Sequence, residues 1–218
     1  MTLFSEEVAE GVRSGDPDAV GAVYVVLADR LLGYLTARVR DRSAAEDLLE
    51  LTFVELLQKG RTIRGGPASI KVWLFRAAHF NALDHLRRVT RRAEELSDDI
   101  ASLERIDLSP GPEEIAESAE TTRRVRAAMA HLSEEQRQVL LLRYVAGLTA
   151  PEAGAVLNKS DGAIRSLQHR GERSLARLLS DEFPDRAPAA PSVPPVGTRS
   201  WTSRAQAASS PPPQTSQG

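Results

Sequence analysis

Two stretches of helix-period apolar residues, within 5–92 and 123–181, flank a strongly acidic segment, and that division confines the chain to two separate helical bodies. In the first stretch Asp16 precedes Pro17, a capping side chain set before a proline at the first helical position. Val20, Val23, Tyr24, Leu27, Leu31, Leu35 and Val39 then recur at helical spacing. Ser43 followed by Glu46 reads as a capping box opening a second helix, whose apolar face is Ala45, Leu48, Leu49, Phe53, Leu56 and Leu57. A third helix is predicted from about Ser69 to Arg92. No segment alternates apolar and polar residues between Gly-Asn turns, so no sheet is expected and the fold class is all-α.

The second stretch repeats the style on a smaller scale. Ser133 with Gln136 forms a capping box, Val139, Leu140, Leu142 and Tyr144 fill the helix behind it, and Gly147 sits past its end as a left-handed cap would. Thr149 with Glu152 caps the next helix, where Pro151 is tolerated because the first turn has no intrahelical donor to lose. Asn158-Lys159-Ser160 makes a short turn before a last helix from about Asp161 to Leu179. Two helices joined by a tight turn, the second longer and basic, form a helix-turn-helix pattern. Residues 93–122, interrupted by Ser109-Pro110-Gly111-Pro112, read as a flexible linker. Residues 182–218 carry eight of the thirteen prolines and read as a disordered tail, either inert or a regulatory peptide anchored by Trp201.

Composition removes several function classes. The chain has no cysteine, which excludes disulfides, Cys-ligated zinc and thiol chemistry. His79, His85, His131 and His169 are scattered without metal-ligand spacing, and Gly65-Gly66-Pro67 reads as a turn rather than a phosphate loop. Ser166 and Asp84 lie in different domains with nothing to complete a triad. No enzyme, metal or cofactor is therefore expected. The acidic start MTLFSEEVAE lacks a basic region followed by an apolar one, and no apolar run approaches the ~18 residues a membrane span needs. A soluble, cytoplasmic chain without membrane insertion, monomeric when free, is the expectation.

The net charge of −2 conceals a strong separation. Residues 61–92 hold eight Lys/Arg against Asp84 alone, a net of +7, whereas 93–122 hold ten acids against Arg105, a net of −9. On the third predicted helix Trp73, Arg76, Phe80, Arg87 and Arg91 share one stripe. Cations alternating with rings suit a single strand, guanidinium groups holding phosphates while rings stack on bases. The competing reading makes Trp73 and Phe80 core residues and the arginines a solvated end. Opposite the second helix's core face lie Asp47, Glu50, Leu51, Val54, Glu55 and Gln58, a mixture of acids and exposed aliphatics that suits docking to a basic partner.

These features together resemble the extracytoplasmic-function group of the sigma-70 family. The resemblance rests on Ala45-Glu46-Asp47-Leu48-Leu49 with Thr52-Phe53, then Trp73-Leu74, Ala78, Asp84 and Arg87-Arg88. It continues through Leu132-Ser133, Arg137, Val139, Leu142-Arg143, Gly147-Leu148-Thr149 and Glu152, and ends on Ser160, Gly162, Ile164-Arg165-Ser166 and His169-Arg170, covering nearly all of 5–180. It implies a region 2-type helical bundle over 5–92, a region 4-type helix-turn-helix domain over 123–181, and the partners core RNA polymerase (β′ coiled coil and β flap), promoter DNA and an anti-sigma factor. By the same resemblance Asp47, Glu50, Leu51, Phe53 and Val54 would contact polymerase, although Phe53 also fits the buried face. Trp73, Arg76, Phe80, Asn81, Asp84, Arg87, Arg88 and Arg91 would engage the downstream (−10) element. Arg165, Ser166, Gln168 and His169 would read the upstream (−35) duplex, with Lys159, Ser160 and Arg170 on phosphates and Ser160 also a cap.

Three positions depart from the family pattern. Glu50-Leu51 stands where Gln-Glu is usual, Phe80 where Asn is usual, and Leu167-Gln168 where Arg-Leu is usual. The seam Ile164, Leu167, Gly171, Leu175, Leu178 would leave Gln168 free to bond adenine bidentately. The linker is expected to run extended through polymerase channels, and in the free protein to fold back on the +7 helix and suppress DNA binding. The alternative is a helix-turn-helix regulator of response-regulator output type. It needs a receiver or ligand-binding domain in front, and the all-helical first stretch has no strand-ending Asp cluster to supply one.

Overall fold

The computed structural model describes residues 4–97 and 116–181, with side chains at 4–93 and 120–180. The tail and linker residues 98–115, on which the autoinhibition and regulatory-peptide expectations fall, lie outside the described residues. Helices α1 (Glu6–Ser14), α2 (Pro17–Val39), α3 (Arg42–Lys59) and α4 (Pro67–Ser97) make the first body. Helices α5 (Ala116–Ala130), α6 (Glu134–Leu140), α7 (Ala150–Leu157) and α8 (Asp161–Asp181) make the second. Among the described residues there is no strand.

Local chemistry explains most boundaries. Asp16 accepts the Asp18 N–H and Pro17 follows at the first turn, while Ser133 and Thr149 both complete reciprocal capping boxes with Gln136 and Glu152. Gly147 (φ 67°) and Asn158 (φ 53°) adopt the left-handed conformation that ends a helix. The second helix starts differently from the sequence expectation. Asp41, extended at φ −137°, accepts the Ala44 N–H, so Asp41 rather than Ser43 is the cap, and Glu46 pairs with Arg42 at 2.8 Å instead. Helix also occupies both ends of the segment read as linker, since α4 runs to Ser97 and α5 begins at Ala116.

α2 is the centre of the first body. Val20, Val23, Leu27, Leu31, Tyr34 and Leu35 are buried along it, facing α1, α3 and α4. Contrary to expectation, α2 is long and apolar enough to cross a membrane by length and composition alone. Burial of those six residues in the core accounts for that composition. Gly60 closes α3 where only hydrogen fits, because a Cβ there would come within 2.7 Å of the Val12 carbonyl oxygen.

The two bodies pack on one another and share a continuous apolar cluster that includes Tyr34, Phe75, Leu142, Ala146, Leu148 and Ala153. Leu141–Val145 form a turn of π-helix after α6, which aims Val145 at Gly33 in the middle of α2. A Cβ on Gly33 would approach Val145 Cγ1 to 3.3 Å, which gives this mid-helix glycine a packing reason. Two ion pairs flank the contact, Arg38–Glu134 and Lys71–Glu152, the latter at 2.5 Å.

Candidate nucleic-acid interface

α4 divides its residues by face. Leu74, Phe75, Ala78 and Ala82 are buried, and His79 lies with them, its Nδ1 3.0 Å from the Tyr34 hydroxyl. Burial, helped by the Arg38 charge, pushes His79 down to about 4, so the ring is neutral, and its Nδ1 shares a hydrogen bond with the Tyr34 hydroxyl. On the outer face Arg76, Phe80, Asp84, Arg87, Arg88 and Arg91 are exposed. Phe80 is 47% exposed with the Arg76 guanidinium 5.8 Å from its ring centroid, and the His79 ring packs edge-on at 5.6 Å. The core reading therefore fails for Phe80. It holds in part for Trp73, which is half-buried and packed against the apolar cluster.

Two further residues of this set have partners within the first body. Asn81 donates to Thr52 Oγ1 at 3.3 Å, and Thr52 donates to the Leu48 carbonyl, so Asn81 joins α4 to α3. Asp84 pairs with Arg87 at 3.2 Å and its carbonyl accepts from Arg88 Nε. Asn81, Asp84, Arg87, Arg88 and Arg91 line an open groove of about 540 Å³ whose α3 wall is Leu51. The docking face and the basic helix thus meet along one edge.

On α3, Asp47, Glu50, Leu51 and Val54 are exposed, as docking requires. Phe53 is not: it is buried with its ring 4.8 Å from Tyr24, so among the docking candidates it is a core residue. Leu57, assigned to the apolar core face, is instead exposed, as is Tyr24 of α2. Tyr24, whose ring packs on Phe53, and Leu57, one turn after Phe53 on α3, extend the apolar part of this face. Helical spacing had placed both on inward stripes, because a stripe's edge is decided by the neighbouring helix.

In the second body Ile164, Leu167 and Gly171 turn α8 inward, leaving Arg165, Ser166, His169 and Arg170 exposed. Ser160 caps α8 by accepting the Ala163 N–H at 3.3 Å. Lys159 pairs with Glu135 at 2.7 Å, a bond that together with its charge draws the Glu135 carboxyl below the usual range. Arg165 pairs with Asp161 at 2.6 Å. Gln168 is not free to face DNA. It is half-buried, its Nε2 donates to Glu172 (2.8 Å) and to the Tyr144 hydroxyl (3.2 Å), and its Oε1 accepts from Arg143 Nε (2.9 Å). The π-turn rotates Arg143 and Tyr144 towards α8, and helical spacing alone carries no sign of it. Arg173 and Arg177, absent from the sequence-derived set, are exposed on the same face as Arg165, His169 and Arg170. Continuing the three-and-four spacing past Arg170 would have found them.

Comparison with known proteins places both bodies. Residues 23–92 match the family model described as Sigma-70 region 2, and 122–175 match Sigma-70, region 4. The chain is 31% identical over 174 residues to the RNA polymerase sigma factor CarQ of Myxococcus xanthus, covering 79% of this chain and 95% of CarQ. It is 30% identical over 176 residues to the ECF RNA polymerase sigma factor BldN of Streptomyces coelicolor, covering 81% of this chain and 66% of BldN. Two solved structures share the fold. CnrH in complex with the cytosolic domain of CnrY gives a TM-score of 0.60 at 22% identity, over 81% of this chain and 97% of that one. The sigma factor RpoE, in complex with the anti-sigma factor NepR from Bartonella quintana, gives 0.60 at 20%, over 76% and 98%.

Proposed function

Since this chain belongs to the extracytoplasmic-function group of sigma-70 RNA polymerase sigma factors, we propose that it directs core polymerase to its promoters through three separate surfaces. The exposed acid-and-aliphatic face of α3, with Asp47, Glu50, Leu51 and Val54 joined by Tyr24 and Leu57, docks on the polymerase β′ coiled coil. The first turns of α8, with Arg165, Ser166, His169 and Arg170, enter the major groove of the upstream element, while Lys159 approaches a phosphate. The outer stripe of α4 holds the melted strand of the downstream element. Phe80 stacks on an unpaired base there, and Arg76, Arg87 and Arg91 hold flanking phosphates. The function is one of binding, carried out in the bacterial cytoplasm where polymerase acts. The second body also meets the β flap, and an anti-sigma factor is the regulating partner, as the relatives' complexes suggest.

One observation supports this reading above the others: Phe80, a large ring, stands exposed under a guanidinium in the middle of a cationic stripe. A ring with no structural need to be outside is what stacking on a base requires. The match of residues 23–92 to Sigma-70 region 2 favours this reading over a response-regulator output domain.

Run-off transcription with core polymerase and a genomic promoter library tests the proposal. Transcripts are expected only when the chain is added, and their start sites define both elements. On a promoter so found, Phe80→Ala should weaken binding to a pre-melted template about tenfold, the scale of one lost base stack, while Phe80→Tyr retains it. Transcription independent of the chain, or indifference to Phe80→Ala, would count against it.

A further inference from the structure

The recognition helix carries more positive charge than the residues assigned to DNA. Arg173 and Arg177 continue the exposed face of Arg165, His169 and Arg170, and among the described residues no ion pair or hydrogen bond engages either guanidinium. Of the other cations of this surface, Lys159 pairs with Glu135, Arg165 with Asp161, and Arg170 donates from Nε to the Ser166 carbonyl. One acid lies between Arg170 and Arg173, namely Glu172. Its carboxylate is turned off the stripe, accepting the Tyr144 hydroxyl and the Gln168 amide at 2.8 Å. Arg143 closes this cluster by bonding Gln168 Oε1 and the Leu148 carbonyl.

Length along the helix separates the two spare arginines. At 1.5 Å per residue Arg173 stands about 12 Å beyond Arg165, which is the width of the major groove, and Arg177 about 18 Å beyond it. A helix that presents Arg165 to Arg170 to base edges therefore brings Arg173 to the far rim, where phosphates lie, and carries Arg177 past it. Resting on the sigma-factor reading above, we infer that Arg173 is a further phosphate contact at the upstream element, and that Gln168 is a positioning residue which holds Glu172 away from that phosphate. Gln168 then contributes to promoter binding without touching a base. The departure from the family pattern at Leu167-Gln168 has a partner in the acid one turn later, at Glu172.

The test uses holoenzyme assembled from core polymerase and the full chain, on a promoter duplex identified by run-off transcription, with affinity measured from 50 to 200 mM salt. Arg173→Ala should weaken binding roughly tenfold, equally on upstream-element sequence variants, and reduce the slope of log K against log salt by about 0.9. Arg173→Lys should restore the slope, and Arg177→Ala should leave it unchanged. Gln168→Leu should weaken binding without changing the ranking of sequence variants, and Glu172→Gln added to it should recover the loss. That recovery is not expected of a residue that merely supports the fold. An unchanged slope in Arg173→Ala, an equal loss in Arg177→Ala, or no recovery by Glu172→Gln overturns the inference while the wild-type chain still programmes transcription. Absence of wild-type transcription overturns the sigma-factor reading itself, and this inference with it.

Discussion

Buried neutral His79 gives the first body a pH dependence at the scale of one residue. Its folded-state value near 4 lies below the ordinary ~6.5, so between these values the unfolded chain binds the extra proton and stability rises with pH. Acidification from pH 6.5 to 5 should cost the fold on the order of 1–2 kcal/mol through this group, in a window where carboxylates are still ionised. Urea denaturation of His79→Gln across that window should show a flatter dependence than the wild type; equal slopes would remove His79 as the cause. The residue was legible in the sequence only as a histidine without metal-ligand partners. Its hydrogen-bond partner is Tyr34, forty-five positions away in sequence. Phe53 and Phe80 make the same point in opposite directions. Each fits a stripe by spacing, yet the one is sealed by Tyr24 and the other stands exposed on the outer face of α4.

At the scale of elements, what could be read was what is settled within four residues. The capping boxes at Ser133 and Thr149, the proline after Asp16 and the left-handed Gly147 and Asn158 all appear as their local chemistry dictates. The start of α3 was misread because two caps compete there, Ser43 with Glu46 and Asp41 with the Ala44 N–H, and the chain leaves the left-handed Arg40 in a direction that presents Asp41. Asp41→Ala should therefore cost about 1 kcal/mol in urea unfolding and Ser43→Ala close to nothing. The reverse order would return the cap to Ser43. The π-turn over Leu141–Val145 had no local signature, since Val139-Leu140-Leu141-Leu142 is apolar on every side. Its consequences are long-range. It sends Tyr144 to Glu172 on α8 and Val145 to Gly33 on α2, and so shapes both the recognition helix's flank and the contact between the bodies.

The whole molecule joins two bodies that the sequence presents as separate. Their contact was not legible because its polar members look like ordinary surface: Lys71 counts as one more cation on a basic helix and Glu134 as a first-turn acid. Packed together, the ~160 residues of both bodies have a radius of gyration of about 15 Å, whereas elements ~25 base pairs apart on straight DNA are separated by about 85 Å. On the proposed function, the two bodies can meet one promoter only after parting. The 19 peptide steps from Ser97 to Ala116 can span about 65 Å, which together with the bodies' own width covers the distance. The contact must therefore be breakable, and its chemistry suits that. Arg38 is buried and bonded to Glu134, but its Nε and Nη2 find no protein acceptor, so burial of this guanidinium is incompletely compensated. Removing its acid should leave a buried unpaired charge and favour separation. Because the chain contains no cysteine, Val25→Cys and Ala155→Cys place dyes on exposed positions of α2 and α7 without background labelling. High energy transfer is expected in the otherwise unaltered chain, a marked fall in Glu134→Gln, and a similar fall on adding core polymerase. Undiminished transfer in Glu134→Gln would mean that the apolar seam between Gly33 and Val145, rather than the ion pair, holds the bodies together.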